Sequence, residues 1–215
     1  FVRSEKDIKE LKKIIKKNGH STKIIAKIEK PQAIKNIDAI IDESDGLMVA
    51  RGDLGVEMPM ESVPIIQKKI VTKCNLACKP VIIATQMLES MITQKTPTRA
   101  ESNDVANAVL DGTDAVMLSA ESAIGDNPEL AVKMMDKIAH SVEKNPNYSS
   151  ILLAQLEETP DSTPDAIATA SRTLATELNS PVIVCYTESG STGIKVSRVR
   201  PNPVSYTHLT MPTKA

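Results

Sequence analysis

The stretch Gly46–Asp53 (GLMVARGD) is an apolar run that ends abruptly on polar residues capable of chemistry. Three other segments share this design: residues 24–29 (IIAKIE), 81–86 (VIIATQ) and 115–119 (AVMLS). Short, almost continuous apolar runs are typical of strands that are buried on both faces of a parallel sheet. We therefore predict four parallel strands whose polar end residues gather at one rim, which is where barrels of repeated strand–helix units carry their active sites.

Segments of helical periodicity separate these strands, and residues directly after the second strand are predicted as a loop. The predicted strands are 23–28, 47–50, 81–85 and 115–118, and the predicted helices are 4–18, 31–43, 62–78, 99–110 and 128–143. Alternating strands and helices indicate an α/β fold with a parallel sheet. A closed eight-stranded barrel takes about 250 residues, more than this region holds. We expect the second half of a TIM (β/α)8 barrel, followed by the beginning of a separate α/β C-terminal domain.

Four regions follow from this pattern. We assign residues 1–145 to the C-terminal half of the barrel and the proline-containing residues 146–163 to a linker. Residues 164–203, with a helix at 165–178 and a strand at 181–186, are expected to start the second domain. Residues 204–215 lack periodicity and are predicted to be an atypical tail that does not continue this domain. We expect the chain to be truncated at both ends.

Composition excludes several classes of function. The chain has 215 residues, 41% hydrophobic, with 26 basic and 27 acidic residues, one Phe and no Trp. Neither a basic patch nor an aromatic platform for nucleic acid is present, and no apolar stretch approaches the roughly 18 residues that predict a membrane span. No signal peptide opens the chain, and three cysteines form no disulfide framework, so we predict a cytoplasmic protein.

The predicted strand ends combine a lysine, two acids and a hydroxyl. Lys27 and Glu29 are two residues apart on a strand and so point to the same face. Asp53 follows Gly52, where the absent side chain lets the backbone approach a ligand, and Thr85 ends the next strand. Two carboxylates suit Mg²⁺ or Mn²⁺, and a lysine with such a metal would stabilise charge on a phosphoryl group or an enolate. Alternatively, Lys27 and Glu29 form a purely structural ion pair.

Four segments closely resemble signature sequences of the pyruvate kinase family, in order and spacing. They are Ile25–Glu29 (IAKIE), Met48–Glu57 (MVARGDLGVE), Ala84–Met91 (ATQMLESM) and Met117–Glu121 (MLSAE). The resemblance runs from Phe1 to about Pro203. It implies transfer of a phosphoryl group from phosphoenolpyruvate to ADP, giving pyruvate and ATP.

The resemblance also implies roles for individual residues. Lys27 is similar to the catalytic lysine that stabilises the moving phosphoryl group, and Glu29 and Asp53 are similar to the metal ligands. Lys27, Asp53, Gly52 and Thr85 match substrate-binding positions, and Thr85 is also catalytic, on the side where the enolate is protonated.

Three further residues are expected to support the site. Arg51 orients the loop rather than reacts, and Ser119 and Glu121 lie behind the reacting groups. The family usually has glycine where this chain has Ala120, a small change that leaves this strand end plausible.

The loop after the last predicted strand is similar to the loop that binds a sugar-phosphate effector in many pyruvate kinases. The residues concerned are Thr187, Ser189, Gly190, Ser191 and Thr192. Hydroxyls and N–H groups before a helix form an anion site. The alternative is an ordinary strand–helix turn.

The resemblance further implies a homotetrameric parent protein and a K⁺ requirement whose ligands lie outside this chain. Because the first barrel strands have no counterpart here, we expect the isolated chain to have little activity and to aggregate through exposed sheet edges. Two alternatives remain: a Mg²⁺-dependent lyase or aldolase acting on phosphoenolpyruvate or pyruvate, and a non-catalytic half-barrel module.

Overall fold

The computed structural model describes residues 1–156, 162–201 and 204–209. The chain forms two compact units, Phe1–Leu152 and Leu153–Ala215. Each unit is described by itself below.

The first unit contains a parallel four-stranded sheet in the order β1-β2-β3-β4. Its strands are β1 (Ile25–Ile28), β2 (Gly46–Ala50), β3 (Val81–Ala84) and β4 (Ala115–Met117). The register places Lys27 opposite Met48 and Ala50 opposite Ala84. The prediction of an α/β fold with four parallel strands is therefore confirmed, and the carboxyl ends of the strands meet at one edge.

Nine α-helices accompany this sheet in the described part of residues 1–156. They are α1 (Glu5–Lys17), α2 (Pro31–Lys35), α3 (Ile37–Glu43), α4 (Arg51–Glu57), α5 (Val63–Leu76), α6 (Arg99–Leu110), α7 (Ala120–Ala123), α8 (Pro128–Glu143) and α9 (Pro146–Leu156). Short 3-10 helices cover Met60–Ser62 and Glu89–Ile92. Across the described segments, no helix combines the length and the apolar character needed to cross a membrane.

Burial differs between the centre and the edge of the sheet. Leu47, Val49 and Ile83 on β2 and β3 are completely buried, and each such side chain contributes about 1.5–3 kcal/mol through burial. On the edge strand β1, by contrast, burial alternates along the strand. Lys27 therefore lies on the exposed face of β1.

Two predicted elements before residue 60 differ from the structure. The helix predicted over 31–43 is interrupted at Asn36, whose side-chain amide donates to the carbonyl oxygens of Arg3 at 3.0 Å and Gln32 at 3.1 Å. The loop predicted after β2 is instead helix α4. Asp53 lies in the first turn of α4, where a carboxylate interacts favourably with the helix dipole.

The second unit contains a parallel pair of strands and two helices. These are α10 (Thr163–Glu177), β5 (Val182–Thr187), α11 (Ser191–Arg198) and β6 (Val204–Leu209). Val182 is opposite Val204 and Thr187 is opposite Leu209. The predicted helix at 165–178 and strand at 181–186 are found with ends shifted by one or two residues.

The structure corrects the local structure predicted for the linker and the tail. Helix α9 occupies the first part of the predicted linker, because proline is compatible with a first helical turn and Leu152 is buried. Strand β6 occupies the first part of the predicted tail, where pairing with β5 satisfies the backbone. Residues 157–161 and 210–215 lie outside the described residues, and the domain boundaries themselves stay predictions.

Candidate active site

A lysine and two carboxylates converge at the carboxyl ends of β1 and β2. Lys27 Nζ lies 2.7 Å from Glu29 Oε2 and 2.8 Å from Asp53 Oδ2. Glu29 follows β1 directly, and Asp53 is presented by the first turn of α4. The Glu29 side chain is 8% exposed, whereas those of Lys27 and Asp53 are 48% and 51% exposed. The site is thus anchored by a buried acid and open to a ligand on its other side.

The charges of these groups stabilise one another. The hydrogen bond from Lys27 is the largest cause that holds the pKa of Glu29 well below its ordinary value. Hydrogen bonds to Asp53 and Glu29 raise the pKa of Lys27 above its ordinary value. At neutral pH the site therefore contains an ammonium and an ionised Glu29.

The same donor set fits a hard divalent cation. Glu29 and Asp53 offer carboxylate oxygens, and Glu29 keeps its charge well below neutral pH. The residues that the structure describes contain no group of three or more His, Cys, Asp or Glu side chains placed to hold a metal ion. Mg²⁺ is commonly bound by one or two carboxylates with water and substrate oxygens completing its shell. Glu29 and Asp53 therefore suit a cation that is shared with a substrate.

Thr85 is joined to this cluster through the residue that precedes Asp53. The Gly52 N–H donates to Thr85 Oγ1 at 2.7 Å. An added Cβ at Gly52 would lie 3.3 Å from that oxygen, a tight contact. The backbone of Thr85 has φ +72° and that of Gln86 φ +55°, a conformation that is an outlier for a β-branched residue. The predicted residues Lys27, Glu29, Gly52, Asp53 and Thr85 thus form one connected group.

Arg51 lies behind this group and is almost fully buried. Its Nη2 donates to the carbonyl oxygens of Thr85 at 2.7 Å and Gln86 at 3.2 Å. Its Nη1 contacts Asp104 Oδ1 on α6 at 2.7 Å. The sequence analysis expected Arg51 to orient a loop but did not single out Asp104. The two residues are 53 positions apart, and nothing local in the sequence indicates their contact.

Glu121 connects the ends of β3 and β4. Its buried carboxylate accepts from the N–H of Ser119 at 2.7 Å and from that of Leu88 at 3.2 Å. These bonds tie the start of α7 to the segment that follows Thr85. The geometry agrees with a supporting role for Glu121, and the described contacts of Ser119 are made by its backbone.

The loop Thr187–Thr192 belongs to the second unit and precedes α11. Gly190 has φ +84°, and its N–H donates to Thr187 Oγ1 at 3.1 Å. The Ser189 and Ser191 hydroxyls are 3.0 Å apart, and the Ser191 N–H contacts Ser189 Oγ at 3.4 Å. Exposed hydroxyls thus surround a helix start, although two of the loop N–H groups already have partners within the loop.

The charge of Glu29 predicts a pH dependence of stability. The folded-state pKa, about 2, is below the ordinary value of 4.5, so ionised Glu29 stabilises the fold. This contribution is complete above about pH 4.5 and is lost as the pH falls towards 2. We expect Glu29→Gln to lower the free energy of unfolding at pH 6 and to converge with the unmodified chain near pH 2, as measured by urea denaturation.

The matched control for this pH series is Glu129→Gln, which removes an exposed carboxylate paired with Lys133 on α8. Exposed pairs of this kind contribute about 0–1 kcal/mol. Stability curves of Glu29→Gln and the unmodified chain that run parallel from pH 6 to 2 would contradict the assigned pKa.

Comparison with known families gives two matches along the chain. The family described as "Pyruvate kinase, barrel domain" matches residues 1–132, and that described as "Pyruvate kinase, alpha/beta domain" matches residues 165–212. The first match covers the unit with the lysine–carboxylate cluster, and the second covers the unit with the Thr187–Thr192 loop.

Individual relatives agree with these matches. The chain is 51% identical over 201 residues to a pyruvate kinase of Agrobacterium vitis and 52% identical over 202 residues to one of Methylorubrum extorquens. Each alignment covers 94% of this chain but only 41% and 42% of the relative. A crystal structure of a pyruvate kinase from Cryptosporidium parvum superposes with a TM-score of 0.88 at 44% identity, covering 96% of this chain and 44% of that one. The chain thus spans about two fifths of the length of these proteins.

Proposed function

The chain belongs to the pyruvate kinase family, and from this premise we propose that the protein transfers the phosphoryl group of phosphoenolpyruvate to ADP, giving pyruvate and ATP. The observation that carries the proposal is the Lys27 ammonium, which lies within 2.8 Å of two carboxylates at the carboxyl edge of the sheet. An exposed ammonium there offers a positive charge to a phosphoryl group.

The phosphoryl step breaks the bond between phosphorus and the enol oxygen and forms a bond from phosphorus to a terminal phosphate oxygen of ADP. Negative charge spreads over the moving phosphoryl oxygens, and electrostatic stabilisation of this charge is the main catalytic task. Lys27 stabilises these oxygens. Glu29 and Asp53 hold its ammonium in position through their hydrogen bonds.

Glu29 and Asp53 are also the residues that would hold Mg²⁺ or Mn²⁺. When bound, the metal neutralises charge on substrate oxygens as a Lewis acid. Glu29 is suited to this task because it stays ionised and is buried, so its oxygens are fixed. A K⁺ requirement is part of the same proposal and is supported by family membership alone.

The second step converts the enolate into pyruvate. Its methylene carbon takes a proton to form a new C–H bond, and the electron pair of the enolate supplies that bond while the carbonyl forms. Thr85 donates this proton and recovers one from solvent water. The Gly52 N–H donates to Thr85 Oγ1, so this contact leaves the hydroxyl hydrogen free to be donated.

Replacing Gly52 with alanine tests the placement of Thr85. The new methyl group would crowd Thr85 Oγ1, and a displacement of a few tenths of an ångström is expected to lower kcat about tenfold. Thermal stability should be unchanged or slightly higher, because alanine favours helix by up to about 1 kcal/mol over glycine. Steady-state kinetics and the melting temperature measure the two effects.

Gly55→Ala is the matched control on the same helix, because its Cβ would meet only Met60 Cγ at 4.0 Å. An equal loss of kcat in both variants would show that the effect does not pass through Thr85.

Regulation by a sugar phosphate is proposed for the loop Thr187–Thr192. Support comes from the exposed hydroxyls of Ser189, Ser191 and Thr192 at the start of α11 and from the family match of this unit. An incoming phosphate would have to replace the bond between Ser189 and the Ser191 N–H, so binding would rearrange the loop.

Assembly and location belong to the same proposal. A homotetramer is supported by family membership alone, and a cytoplasmic location agrees with the free thiols of Cys74, Cys78 and Cys185. The match of residues 165–212 to the pyruvate kinase alpha/beta domain argues against the lyase and aldolase alternative.

The experiment compares the 215-residue chain with the product of the complete reading frame that contains it. Phosphoenolpyruvate, ADP and Mg²⁺ are supplied, and pyruvate and ATP are measured separately. We expect the complete product to form both in equal amounts and the isolated chain to form little of either. Release of pyruvate from the complete product without ADP, or without ATP formation, would reject the proposed function.

A further inference from the structure

Arg51, which is almost fully buried, and Asp104, which is partly exposed, support the turn that contains Thr85. The Arg51 side chain is 9% exposed, and its guanidinium reaches the turn after β3 and helix α6 at once. We propose that Arg51, held by Asp104, is a positioning residue that fixes the Thr85 hydroxyl for protonation of the enolate. The inference rests on the proposed function.

The first argument comes from the backbone of the turn. Thr85 and Gln86 both have positive φ, which non-glycine residues adopt only where their surroundings impose it. Two consecutive carbonyl oxygens accept from the same Arg51 nitrogen, at 2.7 and 3.2 Å. Two charge-assisted bonds to one short turn explain why the strained conformation persists.

The second argument comes from the adjacent residue. While the Arg51 side chain holds the Thr85 carbonyl, the Gly52 N–H holds the Thr85 hydroxyl at 2.7 Å. Arg51 and Gly52 are consecutive in the first turn of α4. One short segment therefore binds both the carbonyl oxygen and the hydroxyl of Thr85. A shift of the Arg51 guanidinium would therefore change the orientation of the Thr85 hydroxyl.

The third argument concerns the charge of Arg51. Asp104 contacts Nη1 at 2.7 Å, whereas the nearest oxygen of Gln67 is at 3.5 Å. Among the described residues, Asp104 is the one carboxylate that forms an ion pair with Arg51. Asp104 thus holds the guanidinium from α6, and we expect its charge to matter for the position of Thr85.

The test uses the product of the complete reading frame. Arg51→Lys and Asp104→Asn are each introduced in two backgrounds, one that keeps Thr85 and one that carries Thr85→Ala. Two rates are measured: overall conversion of phosphoenolpyruvate, and exchange of pyruvate methyl protons for deuterium in D₂O with Mg²⁺, followed by NMR. The exchange isolates the proton step. Arg51→Lys is expected to slow the exchange about 10- to 100-fold, and Asp104→Asn to slow it less.

The decisive result is the loss of this effect in the absence of the Thr85 hydroxyl. If Arg51 acts through Thr85, Arg51→Lys should change the exchange rate less than twofold in the Thr85→Ala background, since coupled residues are non-additive. The same fold-change in both backgrounds would overturn the inference, as would an unchanged exchange rate with Thr85 present.

A matched control separates positioning from general stability. Lys73→Met removes an ion pair between α5 and α3, that with Asp38, without touching Arg51 or the turn at Thr85. It should lower the melting temperature but leave the exchange rate unchanged. An equal slowing of exchange by Lys73→Met would overturn the inference. An unmodified complete protein that is inert in both reactions would overturn the inference and the proposed function together.

Discussion

Lys27→Met is expected to lower kcat of the complete protein about 10²- to 10³-fold, the usual cost of removing one preorganised group that stabilises transition-state charge. Methionine preserves much of the length of the side chain but has no charge to place near a phosphoryl group. Because the lysine bridges Glu29 and Asp53 at 2.7 and 2.8 Å, its loss also leaves two carboxylates without their shared partner. We therefore expect a lower melting temperature as well.

The control lies at the opposite end of the same strand. Lys23 precedes β1, is 82% exposed and pairs with Asp45 at 3.0 Å. Lys23→Met removes one positive charge from the same part of the chain and should leave kcat within twofold. Steady-state assays with saturating phosphoenolpyruvate and ADP measure both variants. A Lys27→Met enzyme with nearly full kcat would exclude Lys27 from the phosphoryl step.

Glu29→Gln and Asp53→Asn are expected to weaken binding of a divalent cation at least 10- to 100-fold, the range known even for residues that only support metal ligands. Each amide keeps the shape of the side chain while it removes the charge that attracts the metal. Glu29 should show the larger effect, because its carboxylate is buried and fixed, whereas that of Asp53 is half exposed. Titration with Mn²⁺, followed by electron paramagnetic resonance, measures affinity without requiring turnover.

Glu57→Gln provides the matched comparison for the metal experiment. Glu57 is on α4, like Asp53, and its carboxylate pairs with Lys30 at 2.6 Å. Its replacement removes the same charge from the same helix but takes no oxygen from the proposed metal site. Equal weakening by Glu57→Gln and Glu29→Gln would mean that general electrostatic attraction, and not ligation, controls binding.

Much of the fold could be predicted because its signals are local. Strands β1 to β4 are short apolar runs, and helices α6 and α8 have the ends that the periodicity predicts. Ser4 and Asp7 mark the start of α1, where the Asp7 carboxylate accepts from the Ser4 N–H at 3.0 Å.

The incorrect predictions are segments whose structure depends on distant partners. Strand β6 lacks the continuous apolar run that marks β1 to β4, and its backbone is organised by pairing with β5. Helix α9 was predicted as a linker because the segment contains prolines, but a first helical turn accommodates proline. Helix α4 was predicted as a loop because it contains two glycines, although Asp53 favours a helix start at that point.

The sequence by itself determined which chemical groups end the strands, since strand and helix periods are properties of neighbouring residues. It therefore indicated Lys27, Glu29 and Asp53 as one group before any contact was known. The tertiary structure alone decided that Arg51 contacts Asp104 and that Thr85 adopts a positive φ. Both outcomes depend on how α4, α6 and the turn after β3 pack together, and contacts between residues far apart in the chain are not encoded in any local pattern.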